Sequence, residues 1–226
     1  MIYNLEFYLL LLSFSFACFT TPFYIFTIAV VLYYRKEEPQ LKNSFYTLWV
    51  ILGITDLSHA IIFDFQAKIP LLGMLSQTYL SAGPLWPMLL TFPSFITHFA
   101  QVYCSGILAV NRLTALVWPA NYEALWSRPF LIPCLVFIAY FLSTVASIPA
   151  LFLNPRWVRT DPMDNNSKVA IYFMRKEVST IYLFWCGLLL LAGALTIIAT
   201  YAAMFYRVFR HNQPQSLAKF TVAHMG

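Results

Sequence analysis

Charge is what this sequence has least of. Lysine, arginine, aspartate and glutamate make up 10% of its 226 residues, against 60% hydrophobic ones. A soluble domain carries about 25% charged residues, so the composition excludes an ordinary water-soluble fold and points to a polytopic membrane protein. The net charge of +5 is scattered over loops rather than gathered in a patch, which argues against a nucleic-acid partner and fits loops lying on anionic lipid. Cysteines are four, at 18, 104, 134 and 186, each inside an apolar segment. No pair has metal-ligand or redox spacing, so all four read as small buried hydrophobes. The seven glycines form no phosphate-binding loop, and the histidines at 59, 98, 211 and 224 make no zinc pattern. Catalysis, a metal and a cofactor therefore find no support.

What the chain does have is long uncharged runs. About 20 apolar residues cross the hydrocarbon of a bilayer as a helix, and five segments qualify. They run from about Phe7 to Tyr33, Phe45 to Phe65, Met88 to Trp118, Pro129 to Leu153 and Val178 to Tyr206. The reading is all-α, a single transmembrane domain over residues 1–226 with a polar tail from Arg207. Pro22 predicts a kink in the first helix. The first run is no signal peptide, because no basic residue precedes it and it is too long. Residues 68–87, broken by Pro70, Gly73, Gly83, Pro84 and Pro87, read as an outer loop partly dipping into the interface, with a short re-entrant segment as the alternative. Residues 118–128 and 154–177 read as further loops.

Two signs set the orientation. No basic residue precedes the first helix, while Arg35, Lys36 and Lys42 follow it, which puts the N-terminus outside by the positive-inside rule. The one N-glycosylation sequon, Asn165-Asn166-Ser167, falls in a loop that this topology also places outside.

The third helix carries a polar stripe. Ser94, Thr97, His98, Gln101, Ser105 and Arg112 share one face at helical spacing, with Ile96, Phe99, Tyr103, Ile107 and Val110 opposite. Polar groups at membrane depth turn toward the bundle interior or a wet cavity. Interhelical hydrogen bonding and a ligand cavity near Thr97, His98 and Gln101 are both open, with the opposite face expected in lipid. The fifth helix repeats the pattern faintly with small residues suited to packing, leaving Tyr182 as its one pocket candidate. Asp56 is the one carboxylate deep in an apolar run, and hydrogen bonding is favoured over ion binding for it.

The third run ends at its first charge, Arg112. The string Leu108-Ala109-Val110-Asn111-Arg112-Leu113 through Pro119, with Tyr122 and Trp126 beyond, resembles the third-helix end of the nematode serpentine chemoreceptors of class V and class gamma. These belong to the seven-helix G-protein-coupled receptors, whose usual acidic residue and tyrosine are here Asn111 and Leu113. The segment Leu52-Gly53-Ile54-Thr55-Asp56-Leu57 is similar to the second helix of the same group. The resemblance implies a receptor in the plasma membrane of sensory neurons, binding a small environmental molecule outside and a heterotrimeric G protein inside. Asn111, Arg112, Pro119 and Tyr122 would then serve coupling. The superfamily's usual disulfide has no cysteines here, so the second outer loop is expected to be held by packing alone. Five spans where the superfamily has seven imply a chain cut short after the fifth helix, unable to signal by itself. The alternative is a small membrane transporter or channel component, for which only Asp56 and the helix-breaking prolines speak.

Overall fold

The computed structural model describes residues 2–161 and 168–211. The Asn165 sequon and the tail beyond His211 lie outside the described residues. The protein is all-α in its membrane part. Among the described residues, five helical segments are long and apolar enough to cross a bilayer: Phe7–Tyr34, Ser44–Leu71, Leu85–Val117, Leu131–Phe152 and Lys176–Phe209.

In chain order the elements are α1 (Ile2–Tyr34), α2 (Ser44–Phe63), α3 (Ile69–Leu71), α4 (Ser76–Ser81), α5 (Leu85–Val117), α6 (Pro119–Trp126), α7 (Leu131–Ser147) and α8 (Lys176–His211). A two-stranded hairpin, β1 (Pro155–Arg159) and β2 (Val169–Phe173), precedes α8. Asn43 caps α2, its side-chain oxygen accepting from the Tyr46 backbone N–H. A π-helical turn at Asp64–Lys68 joins α2 to α3, and Lys68 pairs there with Asp64 at 2.7 Å. The second span thus runs on to Leu71, past the expected end at Phe65, and the third span, α5, begins at Leu85, three residues before the expected Met88. The loop after Trp118 is also mostly helical, because Pro119 stands at the first helical positions, where its missing N–H costs nothing.

At the centre lies α5, packed against α2 on one side and α7 and α8 on the other. α1 touches the bundle chiefly through α2 and leaves Leu12, Phe16, Phe19 and Phe23 bare. In hydrocarbon, bare apolar side chains are satisfied by lipid, so an exposed aromatic ridge here marks a membrane face rather than a defect. The close approach of α8 to α5 depends on Gly193. A Cβ there would stand 2.2 Å from Val102 Cγ1, well inside contact distance.

Three expectations change. Phe99, on the face expected in lipid, is 2% exposed and packs with Ala150, Leu153, Tyr182 and Cys186. The reason is that α5 is covered on both faces, so its apolar side is a protein interface too. Cys18 and Cys134 are exposed on the outside of their helices, and only Cys104 and Cys186 are buried. The segment 154–177 is not held by packing alone. Pro155–Arg159 pairs with Val169–Phe173 in an antiparallel ladder, and Trp157 and Val169 are buried against Tyr79 of α4. The Tyr79 ring meets Trp157 edge-on at 4.7 Å, while its hydroxyl donates to the Phe65 carbonyl at 2.8 Å. Burial pushes the Tyr79 phenol above its ordinary pKa.

Candidate functional site

The polar stripe of α5 meets a matching stripe on α2. Asn111 Nδ2 donates to Ser44 Oγ at 3.0 Å, and Gln101 Nε2 donates to Asp56 Oδ1 at 2.9 Å. Thr97 Oγ1 lies 3.1 Å from His59 Nδ1, and Gln66 Nε2 donates to Thr91 Oγ1 at 3.3 Å. Climbing α2 from Ser44 through Asp56 and His59, and on to Gln66 in the π-helical turn that continues it, descends α5 from Asn111 through Gln101 and Thr97 to Thr91. The two helices are antiparallel, so this is one continuous ladder. Each rung between membrane helices contributes about 0.6 kcal/mol on average, enough together to fix register.

Asp56 is the best-connected rung. Its second oxygen accepts from the Tyr24 hydroxyl of α1 at 3.1 Å, so one carboxylate ties three helices. Beside it, between α1 and α2, lies a groove of about 520 Å³ edged by Thr20, Thr21 and Thr27. Next to Asp56, Thr55 is fully buried and its hydroxyl lies 2.6 Å from that of Tyr140, joining α2 to α7.

Toward the hairpin end of the ladder, His98 comes close to His59, their ring centroids 5.0 Å apart. Two atoms there, His98 Nδ1 and Gln66 Oε1, are buried without a hydrogen-bond partner among the described residues. Tyr182 stands elsewhere. Its hydroxyl donates to the Ala146 carbonyl at 3.1 Å and its ring meets Phe95 at 5.3 Å, which seats it among α5, α7 and α8. The structure therefore brings Thr97, His98 and Gln101 together on the α2 side and leaves Tyr182 out. Below Tyr182, an apolar cleft of about 570 Å³ runs between α5, α7 and α8.

At the opposite end of the ladder the residues around Arg112 form a compact knot. Asn111 is 0% exposed. Its oxygen accepts from the Tyr122 hydroxyl at 3.2 Å, and Tyr122 Oη lies 2.8 Å from Ser44 Oγ. The donors close a ring, amide to serine, serine to tyrosine, tyrosine back to amide, so every polar atom is used and each bond polarises the next. One turn on, the Trp126 indole N–H donates to Thr114 Oγ1 at 2.8 Å. These two links clamp α6 beneath α5. Arg112 itself is exposed, its guanidinium carbon 3.2 Å from the centroid of Phe45, a cation–π contact that aims it across the end of α2. Pro119 is exposed at the start of α6.

Sequence reasoning missed Ser44, Tyr24, His59, Gln66 and Tyr140. The first, third and fourth were findable, because Ser44, Thr55, His59 and Gln66 recur on one face of α2 at spacings of eleven, four and seven residues.

A helical membrane bundle, threaded by a buried polar ladder and closed at one end by a clamped short helix beside an exposed arginine of α5, is receptor-like in architecture. The family described as "Serpentine type 7TM GPCR chemoreceptor Srv" matches residues 13–223, and the chain belongs to it. It is similar to serpentine receptor class V-1 of Caenorhabditis elegans, with 22% identity over 187 residues. That alignment takes in 80% of this chain and 58% of the relative, so the chain spans less than two thirds of that receptor's length. The protein is an integral membrane protein of a chemoreceptor family.

Proposed function

We propose that this protein senses a small environmental molecule at the plasma membrane of a sensory cell and, together with the sixth and seventh helices its superfamily uses, passes the signal to a heterotrimeric G protein. In this reading the hairpin end faces outside and the α6 end faces the cytosol. The observation that carries it is the Asn111–Ser44–Tyr122 ring. It holds α6 rigidly beside an exposed Arg112, which makes a built surface of cation and helix rather than a loose loop. The ligand would enter near His98 and Gln66, whose spare buried atoms can accept or donate a hydrogen bond. A small polar odorant, able to do both, suits them. Movement of α5 against α2 would then be felt along the ladder at Arg112.

The test is ligand-evoked nucleotide exchange in cells that express the receptor with a reporter G protein, across a panel of volatile and water-soluble compounds. An active compound should lose roughly tenfold or more of its response in Arg112→Ala at equal surface expression. It should lose potency, with its maximum kept, in Gln66→Leu. A response untouched by both substitutions would reject the assignment of these residues.

A further inference from the structure

Between the first turns of α2 and α7, with α6 as its floor, opens a cleft of about 810 Å³ that borders the ring at Ser44 and Tyr122 and to which the receptor reading gives no occupant. We propose that it binds one anionic phospholipid from the leaflet at the α6 end. The case rests on how its chemistry changes with depth. At the mouth stand Lys42, ending a short 3₁₀ turn, and Arg128, just before α7. Both are exposed, and among the described residues neither is ion-paired. Arg35 adds a third cation at the rim, donating to Thr47 Oγ1 at 2.7 Å. Glu123 is the one carboxylate in the lining, so cations outnumber it. Deeper in, the walls become Ile51, Ile132, Pro133 and Val136.

The dimensions agree with a lipid. From Ser44 to Ile51 is seven residues of helix, about 10 Å of rise, and the first helical residues of α7, Leu131 to Val136, run alongside. The cleft therefore carries charge at the interface and apolar walls for about 10 Å into the hydrocarbon. One turn deeper, the Thr55–Tyr140 hydrogen bond joins α2 to α7. A soluble anion would neutralise the cations and leave the apolar walls wet. A sterol or another apolar helix would fill the walls and leave the cations unmatched. A phospholipid with an anionic headgroup does both. Because Tyr122 and Trp126 line the same cleft, the lipid would also brace α6, and with it the ring at Asn111.

The experiment uses the full chain, taken into detergent from vesicles of equal phosphatidylserine and phosphatidylcholine, with retained lipid read by native mass spectrometry. One phosphatidylserine should be retained per chain in preference to phosphatidylcholine. Lys42→Ala with Arg128→Ala should cut that retention roughly thirtyfold, at about a factor of five per basic residue. Ile132→Trp, which fills the apolar half and keeps the charges, should also abolish it. Lys36→Ala with Arg207→Ala, outside the cleft, should leave it intact. Equal retention of the two lipids, retention surviving both cleft variants, or full displacement by soluble glycerophosphoserine would each overturn the proposal. None of these readouts depends on signalling.

Discussion

Asn111 is the residue on which the α6 end turns. It is wholly buried and supplies both a donor, to Ser44, and an acceptor, for Tyr122. An amide is the one common side chain of that size that does both without charge. Asn111→Leu keeps the volume but strands two hydroxyls, and unpaired buried polar groups cost about 1–3 kcal/mol each. Because Ser44 and Tyr122 stay 2.8 Å apart, they would still satisfy one another in part, so the expected loss is about 1–2 kcal/mol. Asn111→Asp keeps an acceptor for both hydroxyls, at the risk of burying a charge, and should lose less than the leucine variant. Unfolding in mixed micelles, followed by tryptophan fluorescence, checks the order. Asparagine and leucine variants of equal stability would show that the ring contributes nothing. Tyr122→Phe should leave the bundle intact and speed amide exchange within Pro119–Trp126, because it removes one of the two side-chain links holding that helix.

At the scale of elements, α5 and α8 meet through the smallest side chain available. The 2.2 Å approach of a hypothetical Cβ at 193 to Val102 Cγ1 leaves no room for alanine. Valine is stiff in a helix, so it cannot swing away cheaply. Gly193→Ala should therefore cost about 1–3 kcal/mol as an overpacked contact. Val102→Ala in the same chain removes the clashing methyl, and the next atom, Val102 Cβ, stands at an ordinary 3.7 Å. The double variant should recover most of the loss, a coupling readable in a double-mutant cycle. Additive losses would mean that α8 approaches α5 elsewhere. The face of α8 that the small residues mark is indeed the one that packs, with Ser179, Tyr182 and Cys186 buried along it and Arg207 donating to the Val117 carbonyl at 3.2 Å.

For the whole molecule the question is which end faces the cytosol. The basic segment after α1 and the sequon between β1 and β2 give the same answer from different physics, one electrostatic and one enzymatic. In microsomes the wild-type chain should gain one endoglycosidase-sensitive mass shift, absent from Asn165→Gln. A wild-type chain left unmodified, with a test sequon before α1 also unmodified, would invert the proposed topology. It would also move the Arg112 surface to the outside, where no G protein could meet it.

Residue order alone decided that this is a helical membrane chain with five spans among the described residues, because hydrocarbon admits only segments that satisfy their own backbone, and about twenty apolar residues in a row do so only as a helix. It also marked the stripe on α5, since the price of burying Thr97, His98 and Gln101 in lipid is too high for any face but an inner one. It could not tell a cavity from a seam. A stripe has the same spacing whether it faces water or another helix, and only packing revealed that α2 presents Ser44, Asp56, His59 and Gln66 in antiparallel register against it. Packing likewise decided the fate of Phe99 and Tyr182. Apolar and amphipathic side chains are equally content in lipid and in protein, so periodicity cannot say which they meet, and here both lie in the seam where α5, α7 and α8 meet. The β1–β2 hairpin was hidden for a related reason. Its strands gain stability from a ladder with each other and from Tyr79, a partner more than seventy residues away from Trp157, and no local pattern announces a contact of that range.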